Sequence, residues 1–177
     1  MTTLEQWDLK VFGVLNGLAG RSRLLDWLVI FFARYYTLVM PIGILAYLQA
    51  KGGPLSFKHL VLNQVLVLFV SRGLVVELIR IFYRRKRPYL AHRVKQLLKK
   101  YAEASFPSGH TISIMAMGMA LAHFDPAVGW FVALSGLVIG LARIIAGLHY
   151  PLDVLAAVIL SFPSAFLGNS IYNYFIR

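Results

Sequence analysis

The sequence predicts an all-α fold, an integral membrane helical bundle with five transmembrane helices behind an N-terminal amphipathic helix. Three observations carry this. The chain has 177 residues, of which 59% are hydrophobic, whereas ordinary soluble domains are about 45–50% apolar. The apolar residues fall in runs of about 17–25, the length that crosses a bilayer core. Turn formers separate the runs, as in Lys51-Gly52-Gly53-Pro54 and Asp125-Pro126. Lipid offers no hydrogen-bond partners, so each span must be helical. The length suits one bundle, and residues 1–177 are read as a single membrane-embedded domain.

The first element is the amphipathic helix of residues 1–20. Leu4, Trp7, Val11, Leu15 and Leu18 recur at helical spacing, with Glu5, Asp8 and Asn16 elsewhere around it. Carrying charges and only about 17 residues, it is a poor span (a short sixth at most) and is expected to lie in the interface. The opening MTTLEQWDLK has no basic segment ahead of an apolar core, so no cleavable signal peptide is expected. Spans are expected at residues 24–47, 57–83, 108–123, 128–148 and 151–174. Residues 84–107 form a basic connection, with a short helix expected near 94–101.

The net charge is +11, and nine of the 18 Lys and Arg residues lie from Arg80 to Lys100, with no acid until Glu103. Such a field draws anions. Between apolar spans, the partner it implies is a phosphate-bearing lipid or the anionic membrane surface rather than nucleic acid. With no cysteine, disulfides and thiolate metal sites are excluded.

Counting five crossings places the second span's end, the third's start, the fourth's end and the fifth's start at one membrane surface. Three polar clusters meet there. In the first, Arg80 and Arg87 are seven apart, about two turns, on one helix face. Their planar forks suit phosphate, although such a run also anchors helices to headgroups. In the second, Phe106-Pro107-Ser108-Gly109-His110 turns into a helix whose N-terminus can bind an anion. Ser108 adds a hydroxyl, and His110 can exchange a proton near neutral pH. The plain alternative is a Ser cap beside an interfacial histidine. In the third, Arg143 precedes His149 and Asp153. Asp153 is one turn past His149 and can accept its Nδ1–H, leaving Nε2 as a basic lone pair, the logic of a hydrolytic base and its orienter. A capping aspartate beside a satisfied histidine is the alternative.

Together the clusters read R-x6-RP, PSGH and AR-x5-H-x3-D. They resemble the signatures of the type-2 phosphatidic acid phosphatase superfamily, K-x6-RP, PSGH and SR-x5-H-x3-D, in the same order across about residues 24–173. The sequence departs at Arg80, where the family usually has Lys, and at Ala142, where it often has Ser. The resemblance implies that His149 attacks phosphorus and forms a phosphohistidine, with Asp153 holding its tautomer. It implies that His110 protonates the leaving oxygen and then activates water. Arg80, Arg87, Arg143, Ser108 and the Gly109 N–H would surround the phosphoryl oxygens. No cofactor or metal is expected, since arginines supply the charge and Asp153 is the only carboxylate in the three motifs. Soluble vanadium haloperoxidases share the signatures, but 59% hydrophobic content argues against one.

Other charges fall inside spans, where they are costly and usually paired. Arg34 and Glu77 are expected to pair, although Glu77 is also one turn from Arg80 and could position it; Arg72 has no assigned role. Gly136-x3-Gly140 is read as packing inside the bundle, with a homodimer seam as the alternative. Met115, Met117 and Met119 are read as core or lipid contact rather than a cofactor box. His92, Arg93, Lys95, Lys99 and Lys100 either hold a headgroup or diphosphate, or form a solvated basic loop. The resemblance to small bacterial members implies an undecaprenyl-diphosphate phosphatase of the cell membrane. Phosphatidylglycerophosphate, phosphatidate or lipid A phosphatases and a phosphotransferase are the alternatives. The positive-inside rule puts the basic loop in the cytoplasm; the resemblance puts the site on the extracytoplasmic face, and is preferred.

Overall fold

The structure is a computed structural model and describes residues 2–51, 53–99 and 104–175. Among these, every regular element is a helix and none is a strand. Helix α1 (Thr3–Asn16) opens with a capping box in which Thr2 and Glu5 bond each other's backbone N–H. Helix α2 (Arg23–Lys51) is capped by Ser22 and passes through a π-helical stretch, Phe31–Tyr35. Helix α3 runs from Pro54–Leu68 through a second π stretch, Phe69–Val76, into Glu77–Phe82. A single turn, α4 (Pro88–Ala91), follows. Then come α5 (Gly109–Leu121), α6 (Pro126–Ile145), capped by Asp125, and α7 (Pro151–Phe175).

Three helices among the described residues, α2, α6 and α7, are long and apolar enough to cross a membrane. Helix α5 is apolar but has only 13 residues, and α3 carries Asn63, Gln64, Arg72 and Glu77 along its length. The outer surface is apolar: Ile42, Phe82, Phe131 and Phe166 all face outward. That surface suits lipid tails and would be a liability in water.

Helix α5 is the axis of the bundle. Every one of its residues except His110 is buried, against α3, α6 and α7. Close approach depends on glycine. A Cβ at Gly118 would stand 2.3 Å from the Ala133 nitrogen, and one at Gly136 would stand 2.4 Å from Met115 Cγ. The Gly136-x3-Gly140 pair therefore packs inside the bundle, against Met115, Thr111 and Val154, and Met115, Met117 and Met119 lie in the core as expected.

Three expectations need correction. Arg80 and Arg87 do not share one helix face, because α3 ends at Phe82 and residues 83–87 are irregular. The buried face of α1 is Asp8, Phe12 and Asn16, spaced by four, while Leu4 and Trp7 are exposed. That face packs on α6 and α7. Residues 94–99 are not helical, because α1 pins them in an irregular path. Asn16 Nδ2 donates to the Lys95 and Ile145 carbonyls at 2.7 and 2.9 Å, and Asn16 Oδ1 accepts the Lys95 N–H at 3.0 Å. Residues 100 and 101 of that expected helix lie outside the described residues. Finally, α6 stops at Ile145, three residues earlier than expected. Gly147, at φ +79°, turns the chain, and a Cβ there would meet the Lys95 carbonyl at 2.7 Å.

Candidate active site

The turn at Gly147 delivers Leu148, His149 and Tyr150, all buried, to the start of α7. Asp153 sits in the first turn of that helix and is fully buried. Its Oδ2 accepts the Tyr150 N–H at 2.8 Å and the Ser105 hydroxyl at 2.5 Å. Its Oδ1 accepts Arg85 Nη1 at 2.8 Å. His149 Nδ1 lies 3.6 Å from Asp153 Oδ2, an ion-pair distance too long for a hydrogen bond. On the other side of the ring, Arg87 Nη1 is 3.3 Å from Nε2. A guanidinium only donates, so Nε2 is the acceptor and the ring proton belongs on Nδ1, facing Asp153. This is the tautomer expected from the sequence, with a looser carboxylate contact.

Burial holds the His149 imidazole well below the usual histidine value, at about 4. The Asp153 carboxylate opposes that shift, while Arg143 and Arg87 reinforce it. The ring is therefore neutral at pH 7, the state a nucleophile requires.

The second motif is tied to the third by its backbone: the Ser108 N–H donates to the Asp153 carbonyl at 3.0 Å. Ser108 stands at the N-cap of α5 without capping it. Its hydroxyl shares a 3.0 Å hydrogen bond with Thr111 Oγ1 instead. Gly109 gives its missing side chain's space to Arg72, since a Cβ there would stand 2.9 Å from Arg72 Nε. His110 is half-buried, within electrostatic reach of Arg143, His149, Arg72 and Arg87. Arg143 is buried and donates to the Ala33 carbonyl at 2.9 Å, on the π stretch of α2.

The first motif closes the arrangement. Arg80, in the last turn of α3, is buried, with Nη1 3.2 Å from Glu77 Oε1. Arg87 also donates to the Leu148 carbonyl at 3.3 Å and the Ala104 carbonyl at 3.4 Å. A cleft of about 480 Å³ is lined by Arg80, Arg84, Arg85, Lys86 and Arg87, with Glu77 as its acid and Ile81 and Leu90 as apolar wall. His149 does not line it; Arg87 both lines the cleft and covers Nε2. The structure thus brings Arg80, Arg87, Ser108, Gly109, His110, Arg143, His149 and Asp153 to one end of the bundle, with arginines around a buried neutral imidazole. Such an arrangement can hold an anion such as phosphate beside the imidazole.

Comparison with known proteins decides the family. The model of the PAP2 superfamily matches residues 61–177. The chain belongs to the PAP2 superfamily. As a member it is a lipid phosphatase. It is 32% identical over 161 residues to the undecaprenyl-diphosphatase BcrC of Bacillus subtilis (strain 168), covering 90% of this chain and 81% of that one. Its fold is shared with LpxE of Aquifex aeolicus (24% identity, 93% and 95% of the two chains, TM-score 0.75). It is also shared with a transmembrane PAP2-type phosphatidylglycerolphosphate phosphatase of Bacillus subtilis (19% identity, 100% and 90%, TM-score 0.71).

In this PAP2 chain, four side chains join the site without having been expected there. Ser105 and Arg85 bond Asp153, Arg85 also bonds the buried Asp8 of α1, and Arg72 lies along Gly109. Ser105 and Arg85 are inside or beside the motifs, so adjacency was a usable signal. Asp8 had none, because its partners Arg85 and Leu152 are remote in sequence. The expected Arg34–Glu77 pair does not form. Glu77 pairs with Arg72 and Arg80, the alternative in which it positions Arg80, and Arg34 lies over the Tyr35 ring. Lys95, a candidate headgroup ligand, donates its ammonium to the Ala19 carbonyl at 2.8 Å and so serves α1 docking; Lys100 lies outside the described residues. Ala142 sits in an apolar cluster with Val29, Ala33 and Leu148, which accounts for its lacking a hydroxyl.

Proposed function

We propose that this PAP2 enzyme removes the terminal phosphate of undecaprenyl diphosphate through a phosphohistidine on His149. The observation that carries the chemistry is a buried, neutral His149 with Nδ1 facing Asp153 and Nε2 held by Arg87 at the wall of an arginine-lined cleft. The lipid is supported by the similarity to BcrC.

In this reading the terminal phosphate enters the cleft and Arg87 turns from Nε2 to the phosphoryl oxygens, freeing the lone pair. Nε2 attacks phosphorus in line. The N–P bond forms, the bridging P–O bond breaks, and His110 gives its proton to the departing lipid phosphate. Water then attacks the same phosphorus as His110 takes its proton, the N–P bond breaks, and inorganic phosphate leaves. Arg80, Arg87, Arg143, Ser108 and the Gly109 N–H hold the charge of both transition states, the dominant requirement in phosphoryl transfer. Asp153 keeps the ring proton on Nδ1 and stabilises the ring as it becomes cationic. Helices α3 and α5 complete five crossings with α2, α6 and α7, and the site opens on the extracytoplasmic face of the cell membrane, where a tail in lipid can present its phosphates.

The test is phosphate release from undecaprenyl diphosphate, phosphatidylglycerophosphate, phosphatidate and a lipid A phosphate, in parallel. The highest kcat/KM is expected on undecaprenyl diphosphate; a higher value on another lipid replaces the substrate and leaves the chemistry standing. His149→Ala should lower kcat by about 1,000-fold or more, and activity within tenfold of wild type would remove His149 as nucleophile.

A further inference from the structure

The N-terminal helix supplies a carboxylate to the back of the site. Asp8 is 0% exposed. Its Oδ1 accepts the Leu152 N–H at 2.8 Å, at the start of α7. Its Oδ2 meets Arg85 Nη2 at 2.5 Å. The other arm of Arg85, Nη1, bonds Asp153 Oδ1 at 2.8 Å, and the guanidinium lies 4.0 Å from the centroid of the Tyr150 ring. One arginine is therefore shared between two buried carboxylates, one beside His149 and one on α1.

The sharing has two consequences. The first is geometric. With Nη2 held by Asp8, Arg85 touches only Oδ1 of Asp153, and Oδ2 stays on the His149 side with Ser105 and the Tyr150 N–H. Freed from Asp8, the guanidinium would be able to take both oxygens in the two-point pairing that arginine favours, turning the carboxylate from the ring. The second is charge. Two carboxylates and one guanidinium sum to one negative charge, whereas Asp153 and Arg85 alone sum to zero. Among side chains as buried as Asp8, Asp153 and His149, one charge nearby acts strongly on an imidazole that becomes cationic when it binds phosphorus.

We infer that Asp8 is a positioning residue for hydrolysis: through Arg85 it keeps Asp153 aimed at His149 and leaves the cluster the negative charge that stabilises the phosphorylated ring. This rests on the reading of His149 as nucleophile. It gives α1 a role in catalysis in place of the interfacial anchor its composition suggests.

The test uses the full chain in detergent micelles, with phosphate release from undecaprenyl diphosphate as the assay. Asp8→Asn keeps the size and an acceptor for the Leu152 N–H but removes the charge. It should lower kcat by about fivefold or more while changing KM less than that. Adding Arg85→Gln removes one charge of the opposite sign and restores a net negative cluster, so the double variant should be faster than Asp8→Asn alone. A purely structural role gives the opposite order, because the second substitution removes another buried contact. A smaller loss of kcat in Asp8→Asn, a loss confined to KM, or a double variant as slow as the single one overturns the inference. Should Asp8→Asn fail to give folded protein by thermal unfolding, the double variant is read against wild type. A kcat within about thirtyfold then supports the inference, and a larger loss overturns it. His149→Ala in the same series separates the two ideas. If it stays active, both fall; if it is inactive while Asp8→Asn behaves as wild type, only the role of Asp8 falls.

Discussion

At the scale of the residue, His149 is governed by solvation. Burial costs the imidazolium more than the Asp153 carboxylate returns, so the ring protonates only at about pH 4. The unfolded chain takes the same proton near 6.5. The contribution of this group to stability is therefore fully present above pH 6.5 and is lost as the pH falls toward 4, where the unfolded state binds more protons. Titration of histidine-labelled protein by NMR should find one ring, absent from His149→Ala, that stays neutral below pH 5; a midpoint near 6.5 would contradict the burial argument. Asp153 controls which nitrogen keeps the proton. Asp153→Asn preserves shape but can turn a donor to Nδ1 and force the wrong tautomer, so kcat should fall by about 100-fold or more with KM little altered. Arg80, Ser108, His149 and their companions were legible because each lies in a short motif whose spacing has a local geometric meaning. Asp8 was not, because its partners Arg85 and Leu152 are remote in sequence and only the folded chain shows which face of α1 turns inward.

At the scale of the element, α5 and α6 pack backbone to backbone because glycine permits it. A Cβ at Gly118 would lie 2.3 Å from the Ala133 nitrogen, too close for any side chain. Gly118→Ala should therefore destabilise the fold by about 1–3 kcal/mol. Gly13, on the exposed face of α1, meets nothing within 4 Å; Gly13→Ala should stabilise by about 0.5–1 kcal/mol. Thermal unfolding of both variants in one detergent checks the sign as well as the size. The two π stretches are also element-scale features, and each serves the site. Phe31–Tyr35 presents the Ala33 carbonyl to Arg143, and Phe69–Val76 carries Arg72 against Gly109. Apolar runs and turn residues announced the helices that hold these stretches. Nothing in those runs announced the wider turns, which depend on what packs against them; π-helical turns do recur at functional sites.

At the scale of the whole molecule, the exterior is apolar and the charged residues of the site gather at one end. The basic connection after α3 must then lie at one membrane surface, and which surface is open to direct measurement. The chain contains no cysteine, and Arg93 is exposed, so Arg93→Cys offers a single reporter. An impermeant thiol reagent applied to intact cells should label it. Labelling only after the membrane is broken would put the site in the cytoplasm and favour the positive-inside rule over the outward reading.

By itself, the sequence determined the fold class, the membrane character and the eight motif residues, since hydropathy and short-range spacing are written in consecutive positions. Counting spans even placed the motifs at one end before any contact was known. Tertiary structure alone decided that Arg87 rests on Nε2, that Glu77 joins Arg72 to Arg80, and that α1 docks through Asp8 and Asn16. The physical reason is the same in each case. A buried charge takes whichever partner the packing brings within reach, and that choice depends on helices distant in sequence rather than on the residues beside it.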